Sequence, residues 1–372
     1  MRPRRVAAVV LWALATASTA PAADSLEAGP EPGPQWNLAQ IGAPAAWSRS
    51  TGAGVTIGVV DTGVDARHPD LTGKVDALAT CLHGTCREGP ADDHDGHGTA
   101  VAGVAAATAP DARLVVAKAL AEEGGTTEDL NNAIRWVVDH GARVVNLSLG
   151  DPNFALIART GTPLRSAIEY AWSRGAVPVI AAGNYDDHVS EGSPNYGALD
   201  AFVVGASGPD GHVTGYSTSL GNAKWGVVAP GGTGEGPGRD VLSPVPGGRH
   251  EWLAGTSFAA PHVSGALAVL MGQGLTTAAA VDRLLATLDT SIDCGTGCRG
   301  RVQLDAAVAP PPAEPAPDPV TERTSNHPGL RPTAVAIAVA LVVAAGLAHV
   351  ERLSAVRARP RPGVGTTDLG RA

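Results

Sequence analysis

Between residues 55 and 205 the chain carries five short apolar runs: 55–60 (VTIGVV), 113–117 (RLVVA), 142–147 (ARVVNL), 177–182 (VPVIAA) and 202–205 (FVVG). Each run is continuous rather than alternating, the pattern expected of strands buried on both faces, as in a parallel sheet. Between them, residues 99–107, 127–140 and 164–174 place apolar side chains at helical spacing. Strands and helices in alternation predict an α/β domain, a doubly wound and mainly parallel sheet with helices on both faces. That domain is expected to span residues 35–308, opening at Gln35, Trp36, Asn37 and Leu38.

The two ends follow other patterns. Arg2, Arg4 and Arg5 precede an apolar stretch at 6–16 and the small residues Ala20, Ala22 and Ala23. This reads as a signal peptide over 1–23, because the stretch is about half the ~20 residues a membrane span requires. A polar lead, 24–34, is too short to form a domain, so no folded pro-domain is expected. Residues 309–319 (APPPAEPAPDP) open a proline-rich linker, 309–332, which should be extended and semi-rigid. Residues 333–350 are nearly all Ala, Val, Leu and Ile, and Arg352, Arg357, Arg359 and Arg361 follow in the tail, 351–372. Together they predict a single C-terminal transmembrane helix with a cytoplasmic tail and the folded domain outside the cell. The alternative is a buried helix that would have to reach back across the linker.

Composition refines this picture. With 47 glycines, 29 prolines and 4% aromatics, the core must be built from Ala, Val and Leu between many tight turns. The net charge of −9, without clustered Lys and Arg in the domain, argues against nucleic acid as a partner. In an exported chain the four cysteines read as disulfides. Three pairings exist, and Cys81 with Cys86 and Cys294 with Cys298 close two short loops as surface clips; a zinc site using His83 is the rival. No metal ligand is assigned. His94 lies near His97, but outside a helix that spacing is weak, and Asp92, Asp93 and Asp95 read as a solvated loop. His262 reads as a packed core residue. Asn146-Leu147-Ser148 fits a glycosylation pattern, which its place in a buried strand argues against.

Three motifs carry candidate chemistry. Asp61, in VVDTG, puts a carboxylate at the carboxyl end of a buried strand, where open α/β sheets build their sites. His97, in DGHGT, stands at a helix start beside glycines that permit close backbone approach. Ser257, in GTSFAAPH, opens another helix, with Pro261 expected in its first turn, where a missing N–H costs nothing. The N–H groups and positive dipole end there favour negative charge on a bound oxygen. Taken singly, the three are a turn former, a helix cap and an N-cap.

The ordered set DTG, HGT and GTSxAAPH resembles the subtilisin-like serine peptidases over residues 36–308. The resemblance implies Ser257 as nucleophile, His97 as general base and Asp61 as its orienting partner. Ala181-Ala182-Gly183-Asn184 resembles the family's oxyanion segment, which makes Asn184 an amide donor to the oxyanion. Ser148, Leu149 and Gly150, with Ala181, Ala182 and Gly183, resemble the edges that pair with an extended polypeptide substrate. The stretch 103–109 is too short for the calcium loop of several relatives, so no cofactor is expected and calcium is left without support. The whole layout resembles the mycosins, membrane-anchored proteases of type VII secretion systems, and points to such a complex as partner. It departs from them in carrying His94 and Asp95 where mycosins commonly have a cysteine ahead of the histidine motif. The functions left in competition are an active endopeptidase, a structural partner of a secretion complex with dispensable proteolysis, and a pseudoenzyme, which the four intact residues disfavour.

Overall fold

The computed structural model describes residues 35–122, 124–149, 164–184 and 199–310. The expected signal peptide, lead, transmembrane helix and tail, nearly all of the linker, and Gly150 lie outside the described residues.

In chain order the strands are β1 (Thr56–Asp61), β2 (Val75–Leu82), β3 (Thr85–Glu88), β4 (Arg113–Lys118), β5 (Val144–Leu147), β6 (Val177–Ala181), β7 (Phe202–Ser207), β8 (Trp225–Pro230), β9 (Val241–Val245), β10 (Arg249–Leu253) and β11 (Cys298–Arg301). The helices are α1 (Trp36–Gln40), α2 (Ala43–Ala46), α3 (His97–Thr108), α4 (Thr127–Asp139), α5 (Leu164–Ser173), α6 (Thr256–Gly272), α7 (Thr277–Ala286) and α8 (Leu304–Val308). Among the described residues nine strands form one sheet in the order β11-β8-β7-β6-β5-β1-β4-β2-β3, parallel except for the β2/β3 hairpin. β9 and β10 pair separately as an antiparallel hairpin.

The apolar runs are continuous because the sheet is covered on both sides. Ile57, Val59, Leu114, Val116, Val177 and Val179 face the layer of α3 and α6, whereas Val60, Val115, Ala117, Val145, Leu147 and Ile180 face α4 and α5. The period of two sends alternate side chains into opposite cores, so both sets are apolar unless a buried polar group finds partners. α6 runs through the first core, and every residue from Thr256 to Met271 is buried, which accounts for its being apolar all round. Fully buried side chains such as Leu267 and Leu270 each contribute about 2 kcal/mol.

The strand order reverses at β1. After β1 the chain builds β2 to β4 on one side, then crosses to β5 and onward on the other. The crevice beyond the ends of β1 and β5 is thus the switch point at which doubly wound sheets take ligands.

Both local disulfides are formed, which removes the thiolates a zinc site would need. Cys81 and Cys86 are directly opposed in the β2/β3 hairpin, and Cys81 is fully buried, so this bond is part of the second core rather than a surface clip. Among the described residues no single helix is long and apolar enough to cross a membrane.

Candidate active site

Asp61 is the last residue of β1 and is fully buried. Its Oδ1 accepts from the Thr62 N–H at 2.8 Å and meets His97 Nδ1 at 2.7 Å. Oδ2 has no hydrogen-bond partner among the described residues. Because a carboxylate only accepts, His97 Nδ1 carries the proton, and the neutral ring keeps its lone pair on Nε2. The imidazole is held above its ordinary range. Burial by itself pushes it down, and the charge and hydrogen bond of Asp61, with the charges of Asp95 and Asp93, push it up by more.

His97 is the first residue of α3, which begins two positions before the helix expected from the sequence. Gly98 makes the approach to Asp61 possible: a Cβ there would lie 2.2 Å from the Gly63 carbonyl oxygen. The loop before α3 is fastened by Asp93; Asp92 and Asp95 are exposed as expected of a solvated loop, and the structure overturns that reading for Asp93 alone. Asp93 is buried. Its Oδ1 accepts from the Thr62 hydroxyl and from the Asp95 and Gly96 N–H groups, and its Oδ2 from the Thr99 N–H and hydroxyl. Burial pushes its carboxyl up, but the bonds from Thr99, Gly96 and Thr62 outweigh that and hold it below the usual range. The Thr62 hydroxyl also accepts from the Gly98 N–H. One carboxylate therefore stitches the strand end carrying Asp61 to the helix start carrying His97.

Ser257 is the second residue of α6, 5% exposed, and the ring of the next residue, Phe258, lies 5.8 Å from that of His97. Pro261 is not in the first turn, because the helix opens at Thr256. Its missing N–H falls where the Ser257 carbonyl would find its helical donor. That carbonyl accepts instead from the Ser148 hydroxyl at 2.7 Å, while Ser257 Oγ lies 3.4 Å from the Ser148 carbonyl. Asn146 donates to Ser148 Oγ and accepts from Ser264 Oγ, so it is fully buried in a polar chain and closed to glycosylation.

The Oδ1 atom of Asn184 accepts from the Thr256 N–H at 2.8 Å and its hydroxyl at 2.9 Å. With the oxygen so held, the amide presents Nδ2 on the side of Gly255, where an added Cβ would come within 3.1 Å of it. Thr256 was missed as a site residue, although it stands inside the serine motif. The six expected substrate residues divide. Ser148 and Leu149 are buried at the end of β5, and Gly150 lies outside the described residues. The 181–183 segment is not an edge: β6 has a neighbour on each side, the Ala182 N–H bonds to Val204, and the N–H and carbonyl of Gly183 bond to Thr256 and Thr218. These main-chain groups are taken, so the segment borders the crevice with small side chains.

His262 lies fully buried on α6, donating from Nδ1 to the Phe258 carbonyl and accepting on Nε2 from Asn37. Burial pushes it down to about 4, against the opposing hydrogen bond to Phe258.

Over residues 52–296 the chain matches the Subtilase family. Thermitase of Thermoactinomyces vulgaris is 34% identical over 290 residues, 74% of this chain and 95% of that protein. Subtilisin DY of Bacillus licheniformis is 33% identical over 268 residues, 69% of this chain and 91% of that protein. A solved structure of the proteases from Pseudoalteromonas arctica PAMC 21717 aligns with a TM-score of 0.59 at 26% identity, covering 74% of this chain and 96% of that one.

Proposed function

The chain belongs to the subtilase family and is a serine endopeptidase acting on polypeptides, and on that premise we propose that Asp61, His97, Ser257 and Asn184 are its working residues. The observation that carries this reading is the 2.7 Å contact between a buried carboxylate and a histidine beside the start of the serine helix. Ser257 Oγ attacks the carbonyl carbon of the scissile bond and its proton passes to His97 Nε2. Asp61 holds Nδ1–H and stabilises the imidazolium. The carbonyl oxygen, now negative, is met by Asn184 Nδ2 and the Ser257 N–H, which in the first turn of α6 lacks an intrahelical acceptor. Return of the electron pair breaks the C–N bond, the amine leaves with the proton from Nε2, and water repeats the cycle on the acyl-Ser257 ester. We assign no cofactor to these steps.

The 1–23 and 333–350 segments support an exported enzyme held at the membrane by its C-terminal span, with the catalytic domain outside. The layout is similar to that of the mycosins and supports a type VII-like secretion complex as the setting. Labelling by a fluorophosphonate probe tests the chemistry: the full chain is expected to label and its Ser257→Ala variant not to, and an unlabelled wild type, under conditions that label another serine peptidase, refutes it. Release into the medium of a chain ending at Pro332 tests the tether; retention in the membrane fraction contradicts it. Secretion preserved in Ser257→Ala cells but lost in cells without the protein would make proteolysis dispensable and the chain a structural partner.

A further inference from the structure

We propose that His68, Asp70 and His250 form a binding site for one zinc ion or a similar divalent transition metal, clamping the loop after β1 to the hairpin that leads into α6. The site is separate from the catalytic residues and does not rest on their assignment. His68 is buried, and its Nε2 lies 2.9 Å from the carbonyl oxygen of Arg249. A carbonyl can only accept, so Nε2 carries the proton and Nδ1 the lone pair. A backbone carbonyl bracing the far nitrogen is the arrangement that orients imidazole toward a metal.

The lone pair of Nδ1 faces Asp70, whose Oδ1 is 4.0 Å away. Oδ2 of the same carboxylate is 2.7 Å from His250 Nε2, and the two imidazoles meet edge to face at 5.1 Å. Among the described residues this is the group whose three ligand atoms come within 4.8 Å of one another. Tetrahedral zinc, bonded to nitrogen and carboxylate oxygen at about 2.0–2.2 Å, places its ligand atoms roughly 3.3–3.5 Å apart. The separations, 2.7 Å to Oδ2 and 4.0 Å to Oδ1, lie on either side of that value, the set with one atom from each residue is spread over as much as 4.8 Å, and the closing adjustment falls on Asp70 and His250, both exposed. An ion must also displace the Asp70 N–H from His68 Nδ1, a contact of 3.2 Å at the long end of the hydrogen-bond range.

Two imidazoles and one carboxylate suit zinc, copper or nickel, whereas calcium and magnesium take oxygen shells. The exposed side leaves a fourth position for water. The chain is already drawn together here, since Asp65 Oδ2 accepts from the Gly247 N–H at 3.0 Å. No linear motif announces the site because Asp70 and His250 are 180 residues apart.

The test titrates the full chain, stripped with chelator and then freed of it, with zinc chloride in a calorimeter, beside the His250→Ala and Asp70→Asn variants. Both substitutions are at exposed side chains, and unchanged melting of the metal-free variants shows that they fold. The wild type is expected to bind one equivalent and melt at higher temperature with zinc, and each variant to bind more weakly by at least about tenfold. Cobalt in place of zinc should give the intense visible bands of a tetrahedral nitrogen and oxygen site. Failure of the wild type to bind at millimolar zinc overturns the proposal. So does equal binding by wild type and both variants, which would put the ion on other histidines.

Discussion

Replacing Asp93 by Asn tests whether one buried carboxylate holds the two catalytic loops together. The side chain keeps its shape and the Oδ1 acceptor for Thr62, Asp95 and Gly96. At the other position an NH2 group replaces the oxygen that accepts from the Thr99 N–H at 2.8 Å and the Thr99 hydroxyl at 2.6 Å. A hydrogen bond to a charged acceptor is worth about 1.5–3 kcal/mol, and a buried N–H facing another donor adds its desolvation cost. The Thr99 hydroxyl can turn to accept, but it already takes the Asp65 N–H. The net expectation is a loss of about 2–4 kcal/mol, which a domain of ordinary stability survives. The Asp93 charge is also one of the groups raising His97. His97 works as a base only when neutral, so removing that charge lets it stay neutral to lower pH, and the acid limb of kcat/KM moves down. Urea unfolding in a Ser257→Ala background, which prevents self-digestion, measures the first effect, and pH profiles on a chromogenic peptide the second. A stability change under about 0.5 kcal/mol together with an unmoved acid limb would refute the reasoning.

Asn184→Ala should lower kcat by about 100- to 1000-fold, the size known for this donor in subtilisin itself, with KM little changed; steady-state kinetics on a peptide substrate decide. Ser148→Ala should destabilise by about 1–3 kcal/mol, because it strands a buried Ser257 carbonyl that Pro261 cannot serve. Adding Pro261→Ala restores the helical N–H, so in a double-mutant cycle the pair should cost less than the sum of its parts. His262, with its folded value near 4 against 6.5 unfolded, binds protons more readily once unfolded, so its contribution is full above about pH 6.5 and is lost as pH falls toward 4. That shift corresponds to about 3 kcal/mol, and urea midpoints of wild type and His262→Asn across this range should converge toward the acid end.

The five sheet-centre strands were legible because burial on both faces leaves their runs almost wholly apolar, with Asn146 an exception in β5. β2 and β3 were not, since exposed and buried positions mix irregularly along them and their turn uses His83, at φ 57, where Asn or Asp is usual. The three catalytic-type residues stood in motifs whose spacing carried them. Asp93 did not, because a run of acids looks solvated until Thr62 and Thr99, far apart in the chain, close over it. Pro261 was assigned to the wrong turn for want of the helix boundary, and the consequence, a serine carbonyl given to Ser148, belongs to tertiary structure alone. The expected edge at 181–183 fails for the same reason: Val204 of the neighbouring strand and Thr256 of the serine helix take its N–H groups.

α6 is central in space and late in sequence. It lies on β5 to β8 and against α3, and all of those precede it in the chain. A chain emerging from the ribosome therefore lays down every strand of its sheet but β11 before the serine helix is made, leaving the stretch of that face over β5 to β8 without α6 until about residue 272 has appeared. Peptidase capacity arrives abruptly, late in assembly. A truncated or half-made product carries Asp61 and His97 yet has no serine to set beside them, so the timing of synthesis itself keeps unfinished copies from digesting their neighbours.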